Sequence, residues 1–128
     1  MRQHFAARLT RHPIPFDPAQ GADAWAGLSD LPPEFRGLIE GTAGCSPYLR
    51  DLMRREGDWL RGALAGEPEA AFEGILAPLD QVPVDQLGDA LRQAKRRAAL
   101  LTALADLGGV WPVMQVTAAL TALADWAV

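Results

Sequence analysis

The feature that most constrains the fold is the stretch from Val84 to Leu107, whose pattern indicates one long helix. It begins directly behind a proline and stops at a Gly-Gly pair, an arrangement typical of helix ends. At 1.5 Å per residue, such a helix is roughly 35 Å long. From Ala98 onward only Thr102 and Asp106 are polar, so we expect other helices to enclose this half on most sides.

The remainder of the chain repeats helix start and stop signals, and no stretch alternates apolar and polar residues as a strand does. We therefore predict an all-α fold, an irregular array of six or seven helices around one long central helix at about 84–107. Because 128 residues suit one core, we expect residues 1–128 to form a single helical domain. The candidate segments for these six or seven helices are Met1 to Thr10, Ala19 to Leu28, Asp30 to Thr42, one from Pro47, Asp58 to Ala65, one from Pro68, Val84 to Leu107, and Pro112 to about Trp126.

The pair Ser46-Pro47 is the clearest local start signal. A serine cap accepts a free backbone amide, and proline in the first helical position lacks the donor that would remain unpaired. We expect these two residues to have a structural role, and we expect Asp58 to cap the next helix in the same way.

Charge and cysteine content exclude several classes of protein. A net charge of -4 argues against a partner as anionic as nucleic acid. Cys45 is the only cysteine, which rules out an intrachain disulfide and a multi-cysteine zinc site. No apolar run has the length of a signal peptide core or a membrane span. We expect a cytoplasmic protein that binds neither membranes nor nucleic acid.

The charged residues form no pattern that predicts acid–base catalysis, and we assign no catalytic, cofactor-binding or metal-binding residue within the chain. Glu69 and Glu73 are spaced as like charges on a solvated helix face. The run Lys95-Arg96-Arg97 leads into the apolar half of the long helix. A solvated face is the favoured interpretation of this run, and contact with an anion or a partner is the alternative.

Asp106 is the residue most in need of a charged partner, because an ionised carboxylate among leucines and alanines requires one if it is buried. It also lies near the negative end of the helix dipole, which disfavours its charge. Arg97 is nine positions away on the same helix and is too distant to compensate. We predict a structural salt bridge from another helix, with Arg36, Arg50 or Arg54 as the donor.

Several segments, taken together and in order, resemble the N-terminal region of the bifunctional glutamine synthetase adenylyltransferase/adenylyl-removing enzymes. The resemblance covers roughly Ala43 to the C-terminus, and it departs at Cys45, where asparagine is expected before Ser-Pro. The segments that carry it are Gly44-Cys45-Ser46-Pro47-Tyr48-Leu49, Glu56-Gly57-Asp58-Trp59-Leu60, Leu91-Arg92-Gln93-Ala94-Lys95-Arg96-Arg97 through Leu101, and Ala105-Asp106-Leu107-Gly108-Gly109-Val110-Trp111.

The resemblance implies a much larger enzyme with two nucleotidyltransferase domains, which remove AMP from a tyrosine of glutamine synthetase by phosphorolysis and attach it from ATP. Such domains need a Gly-Ser loop for phosphates and an Asp-x-Asp pair for magnesium ions. Neither element occurs in the chain, so the family's catalytic residues have no positions here and are expected beyond Val128.

On this interpretation the chain is a non-catalytic helical lead-in to the adenylyl-removing domain. No cofactor is expected in the segment, and magnesium with ATP or ADP is implied for the full-length enzyme. The implied partners are the remainder of the same polypeptide and, through the full-length enzyme, glutamine synthetase and a PII-type regulatory protein. A free-standing helical protein–protein interaction module is the alternative, and the residues leave it open.

Overall fold

The computed structural model describes residues 4–112, 114–119 and 121, and it confirms the predicted all-α fold. These residues contain helices and turns but no strand, and residues 114–119 are helical. The longest helix is the predicted central one. The α-helices are α1 (Phe5–Arg8), α2 (Pro18–Ala26), α3 (Arg36–Cys45), α4 (Pro47–Arg55), α5 (Gly57–Leu64), α6 (Pro68–Leu76) and α7 (Leu87–Leu107).

Three short 3-10 segments separate or precede these helices, and they account for the main differences from the predicted boundaries. The segment Pro33–Phe35 replaces the expected start of α3 at Asp30, because two consecutive prolines supply no amide donors there. The segment Val84–Gln86 leads into α7, while Ala77–Gln81 was not expected from the sequence. Parts of two predicted helices, Met1 to Gln3 and Ala122 to Trp126, lie outside the described residues.

The apolar half of α7 forms the centre of the core, as its composition predicts. Leu100, Leu101 and Leu104 are fully buried, and even Thr102 is only 4% exposed. Helices α3, α4, α5 and α6 all pack against α7. The remaining α7 positions in this half, at 99, 103, 106 and 107, are half-buried and share the spacing of one helix face.

Helices α2 and α3 are in close contact because Gly21 has no side chain. A Cβ at Gly21 would overlap the carbonyl oxygen of Glu40 on α3. The N-terminal segment preceding α2 lies across the same helix, where a Cβ at Gly41 would overlap the carbonyl oxygen of Pro13. Glycine at these two positions therefore sets the distance between backbones.

The same N-terminal segment is also held at the far end of α7. The amide of Thr10 donates to the carbonyl of Gly108 at 2.9 Å. Gly109 has a φ of 69°, the left-handed conformation expected after a helix, and a Cβ there would overlap the Thr10 hydroxyl. The N-terminal segment therefore connects α3 with the end of the central helix.

No helix within the described residues is both long and apolar enough to pass through a membrane.

Candidate functional site

Helix α4 forms one wall of the candidate site, and its start is fixed by the Ser46-Pro47 signal. The Ser46 hydroxyl accepts a hydrogen bond from the amide of Leu49 at 3.1 Å, and Pro47 is the first helical residue. Asp58, by contrast, does not cap α5 as predicted. It lies in the first turn of α5 and pairs with Arg61, because Glu56 already stands before that helix.

Glu56 joins α4 to α5 and is the most deeply buried charged residue in the described chain, at 6% exposure. Its amide donates to Leu52 of α4, and its carbonyl accepts from Leu60 of α5, both at 2.8 Å. The backbone of Glu56 is therefore bonded to both helices. Its side chain extends from the junction of the two helices.

Two arginines of α7 neutralise the buried carboxylate of Glu56. Arg97 Nε donates to one carboxylate oxygen at 2.7 Å, and Arg96 Nε donates to the other at 3.2 Å. The Arg97 guanidinium also lies 5.4 Å from the ring centroid of Trp59, within range of a cation–π interaction. This Glu56–arginine cluster fastens the α4–α5 junction to the central helix.

The favoured solvated-face interpretation of Lys95-Arg96-Arg97 is therefore wrong for two of the three residues. Arg96 and Arg97 have side chains only 29% exposed, and both bind an internal carboxylate. Lys95 is exposed and has no hydrogen bond or ion pair with any described residue. The sequence missed the cluster because Glu56 is 40 residues or more from its partners and has no local signal.

Two opposing effects act on the charge of Glu56. Burial raises the pKa of its carboxyl, but the hydrogen bonds from Arg97 and Arg96 outweigh this effect and leave the pKa below its ordinary value. Glu56 is consequently ionised at neutral pH. With two guanidinium groups on one carboxylate, the cluster carries an excess of positive charge.

A cleft of about 680 Å³ opens beside this cluster, between α2, α4, α5 and α7. Its size is within the range of roughly 300–1,000 Å³ typical of ligand sites. Five arginines and four carboxylates line it, together with apolar side chains and Trp59. The arginines are Arg50, Arg54, Arg55, Arg61 and Arg97.

A second buried cluster, around Glu69, connects three parts of the chain. Glu69 Oε1 accepts from Arg8 of α1 at 2.6 Å, and Oε2 accepts from the Trp111 indole at 2.8 Å and from Gln115 at 2.9 Å. The Glu69 side chain is 14% exposed and that of Arg8 is 19% exposed. The predicted solvated face is therefore wrong for Glu69, whereas Glu73 is exposed.

Burial and hydrogen bonding also act in opposite directions on the pKa of the Glu69 carboxyl, and the net lowering is larger than for Glu56. Burial raises its pKa, but the hydrogen bonds from Arg8, Gln115 and Trp111 outweigh that effect and lower the pKa to about 2. Both oxygens of the carboxylate accept hydrogen bonds from donors within the chain. Its role is therefore to hold α1, α6 and the residues after α7 together.

Asp106 does not form the buried salt bridge that the sequence predicted. Its side chain is 44% exposed, and its nearest cation is Arg11, with 4.0 Å between Arg11 Nη2 and Asp106 Oδ1. Arg11 also donates to the Asp106 carbonyl at 2.8 Å. Asp106 lies on the half-exposed face of α7, so its carboxylate does not need the partner that burial would have required.

The arginines expected beside Asp106 lie elsewhere. Arg36 pairs with Glu40 on its own helix, and Arg54 pairs with Asp51 at 2.8 Å. Arg50 lines the cleft.

Within the described part of the chain, no three or more histidine, cysteine, aspartate or glutamate side chains are grouped as a metal site would require. The carboxylates of Glu56 and Glu69 are already bound by arginine, indole and amide donors of the chain. Neither of these two carboxylates is therefore free to bind a magnesium ion together with nucleotide phosphates.

Comparison with known proteins gives a consistent family assignment. Residues 38–128 match the family model described as glutamate-ammonia ligase adenylyltransferase. The chain is 40% identical to a bifunctional glutamine synthetase adenylyltransferase/adenylyl-removing enzyme of Rhodopseudomonas palustris over 93% of its own length. Enzymes of the same description from a Bradyrhizobium species and from Caulobacter vibrioides are 45% identical over 73% of the chain and 36% identical over 85% of it.

These relatives are much longer than the chain. It spans 14% of the Rhodopseudomonas protein, 10% of the Bradyrhizobium protein and 12% of the Caulobacter protein. No solved structure matches the chain.

Proposed function

The chain belongs to the glutamate-ammonia ligase adenylyltransferase family, and we propose that it is the N-terminal helical part of an enzyme that adenylylates and deadenylylates glutamine synthetase. In this enzyme AMP is transferred to and from a tyrosine, a modification that regulates nitrogen assimilation. The single observation that carries the proposal is the match of residues 38–128 to the family model.

Within such an enzyme the chain acts as a non-catalytic scaffold. Its sequence contains neither a Gly-Ser phosphate loop nor an Asp-x-Asp pair for metal ions. Its buried carboxylates stabilise helix junctions through arginines, which supports a structural role for both charge clusters. Residues 1–128 form one helical domain that supports a nucleotidyltransferase domain in the remainder of the polypeptide.

Magnesium, ATP and ADP bind to that remainder, where the phosphate loop and metal-binding carboxylates reside. Glutamine synthetase, and a PII-type regulatory protein in the regulation of the enzyme, are partners of the whole protein. The enzyme works in the cytoplasm, where glutamine synthetase acts. The names of the relatives, which mention both adenylyltransferase and adenylyl-removing activities, support this proposal.

An ADP-release assay tests the proposal directly. The 128-residue chain, incubated with adenylylated glutamine synthetase, phosphate and magnesium, should release no ADP, whereas the longer gene product should release it. Measurable release by the pure chain would contradict the scaffold role. A longer gene product with neither activity would contradict the enzyme assignment.

The coding sequence after Val128 distinguishes the proposal from the alternative of a free-standing interaction module. The proposal expects a Gly-Ser loop followed by an Asp-x-Asp pair in the same reading frame. The alternative expects neither, and it expects the chain alone to bind its partner.

A further inference from the structure

We propose that the arginine-lined cleft between α2, α4, α5 and α7 is a docking site for an acidic segment of the longer enzyme's own polypeptide, with Arg50 as the residue that receives its carboxylate. This inference rests on the proposed function, because that proposal supplies the remaining polypeptide. It goes further by naming a surface, a recognition residue and the chemistry of the segment.

The main evidence is the pairing of the arginines in the cleft. Four of the five have carboxylate partners within the chain. Arg54 and Arg55 pair with Asp51, at 2.8 and 3.9 Å. Arg61 pairs with Asp30 and Asp58, both at 2.9 Å, and Arg97 pairs with Glu56 at 2.7 Å.

Arg50 is the exception among the described residues. Its guanidinium has no hydrogen bond or ion pair there, although the residue is half-buried in the wall of the cleft. Lining carboxylates are present, but Asp51 is engaged by two other arginines, and Asp23 on α2 is exposed. A guanidinium held in a partly desolvated wall without a partner favours binding of an external carboxylate, which it can receive through two parallel hydrogen bonds.

The distribution of charge supports an acidic occupant. The whole chain has a net charge of -4, yet α4 contains three arginines and one aspartate. Positive charge is therefore concentrated on the helix that forms this wall, and the nearby Glu56 cluster adds two guanidinium groups on one carboxylate. An acidic surface is attracted to this wall and repelled by most of the remaining chain.

The rest of the cleft suits a protein segment. Trp59 and the apolar side chains of Ala24 and Pro47 line it beside the arginines, and all three are at least partly exposed. Tryptophan and arginine in a concave, partly desolvated site are the residues that contribute most at protein interfaces. The occupant is accordingly a segment with a carboxylate beside apolar side chains. The chain spans only 14% of its Rhodopseudomonas relative, so the remaining polypeptide is long enough to provide it.

The acid recognition is tested on the 128-residue chain by NMR, with a blocked peptide of alternating glutamate and leucine as the probe. The Trp59 indole and the Arg50 side-chain resonances should shift on titration. Arg50→Gln should weaken binding at least tenfold, a factor equivalent to about 1.4 kcal/mol. Arg92→Gln is the matched control, because it removes the same charge from an exposed arginine outside the cleft and should leave binding unchanged.

Asp23→Asn provides a test with the opposite sign. It removes a competing negative charge from the cleft and should strengthen peptide binding. Equal binding by the parent chain and Arg50→Gln would overturn the proposal, as would equal binding of a lysine–leucine peptide. If free succinate or inorganic phosphate binds as tightly as the peptide, the cleft is a small-anion site and the protein-segment proposal is wrong.

The identity of the occupant is tested by supplying the remainder of the gene product as a separate polypeptide and measuring its association with the 128-residue chain. Arg50→Glu should reduce association at least tenfold, while Arg92→Glu should not. Equal association of the two variants, or no association with the parent chain, would overturn the assignment of the occupant. These results do not depend on ADP release, so a failed docking proposal and a failed enzyme assignment give different outcomes.

Discussion

The Trp111 indole donates a 2.8 Å hydrogen bond to the carboxylate of Glu69, which also accepts from Arg8. One side chain of α6 thus holds both the first helix and the residues after the last turn of α7. The Trp111 ring also lies against Phe72 of α6, the helix that carries Glu69, with 6.1 Å between the ring centroids. The contact is therefore both polar and apolar.

We expect Glu69→Gln to lower the free energy of unfolding by about 2 kcal/mol, because it leaves the part-buried Arg8 without a countercharge. Urea titration measures the change. Asp89→Asn is the control, since it breaks an exposed pair with Arg92 and should cost less than about 0.5 kcal/mol. Equal effects of the two variants would mean that Glu69 behaves as a surface residue.

The stability of the chain should fall in acid partly through Glu69. Its folded pKa is about 2, below the ordinary value of 4.5 that applies when the chain is unfolded. The stabilisation is complete above about pH 4.5 and is lost as the pH falls toward 2, with a slope of up to about 1.4 kcal/mol per pH unit. Glu56, whose pKa is also lowered, contributes in the same direction.

Urea midpoints of the parent and Glu69→Gln, measured from pH 7 downward, test this dependence. The stability difference between them should be constant near neutral pH and should shrink below pH 4.5, where the parent begins to lose the contribution of this carboxylate. A difference that stays constant down to pH 3 would contradict the pKa assignment.

Substitution of Glu56 should be more damaging than substitution of either arginine that binds it. Glu56→Gln leaves two part-buried guanidinium groups without a carboxylate and should cost about 3 kcal/mol in unfolding free energy. Arg97→Gln should cost less, because Arg96 still pairs with Glu56. A double-mutant cycle in urea between positions 56 and 97 would show coupling if the pair is real, and additive effects would argue against it.

Two glycine substitutions should change stability in opposite directions. Gly41→Ala places a methyl group against the Pro13 carbonyl and should destabilise the chain by about 1–3 kcal/mol. Gly62→Ala meets nothing within 4 Å in helix α5 and should stabilise it by about 0.5–1 kcal/mol. Thermal or urea unfolding of both variants measures the two effects. Stabilisation by Gly41→Ala as well would mean that helix propensity, rather than backbone contact, sets the effect at position 41.

Asp106→Ala should change the free energy of unfolding by less than about 0.5 kcal/mol, the usual range for a surface position. Its side chain is 44% exposed, and Arg11 lies 4.0 Å away at the surface. A loss of several kcal/mol in the free energy of unfolding, measured by urea titration, would instead support the buried salt bridge expected from the sequence.

The sequence predicted the features that depend on neighbouring residues. The Ser46-Pro47 start and the length of α7 follow from caps, prolines and glycines within a few positions, and the structure has both. The error at Asp106 came from counting apolar neighbours along the chain instead of by helix face. Ala105 is fully buried, but Asp106, one position on, falls on the half-exposed face.

The charge clusters of the candidate site could not be predicted in the same way. Glu56 is 40 and 41 residues from its two arginines, and Glu69 is 61 residues from Arg8. The local sequence around a glutamate does not show whether its carboxylate will be solvated or bound by a guanidinium group. Glu56 meets its arginines only because α7 packs against the α4–α5 junction, and Glu69 meets Arg8 and Trp111 only because α1, α6 and the residues after α7 come together. Both arrangements depend on the whole fold.

The attachment of the N-terminal segment to Gly108 has a consequence for synthesis on the ribosome. Thr10 and Gly108 are 98 residues apart, so Thr10 leaves the ribosome long before its partner exists. At about 5–20 residues per second, the delay is on the order of 5 to 20 seconds. During that time the α3 surface around Gly41 and the segment that covers it are both present without the end of α7. Thr10 and its neighbours therefore make their contacts with Gly108 and Gly109 only after the whole of α7 has been synthesised, whereas their contacts with α3 are available earlier.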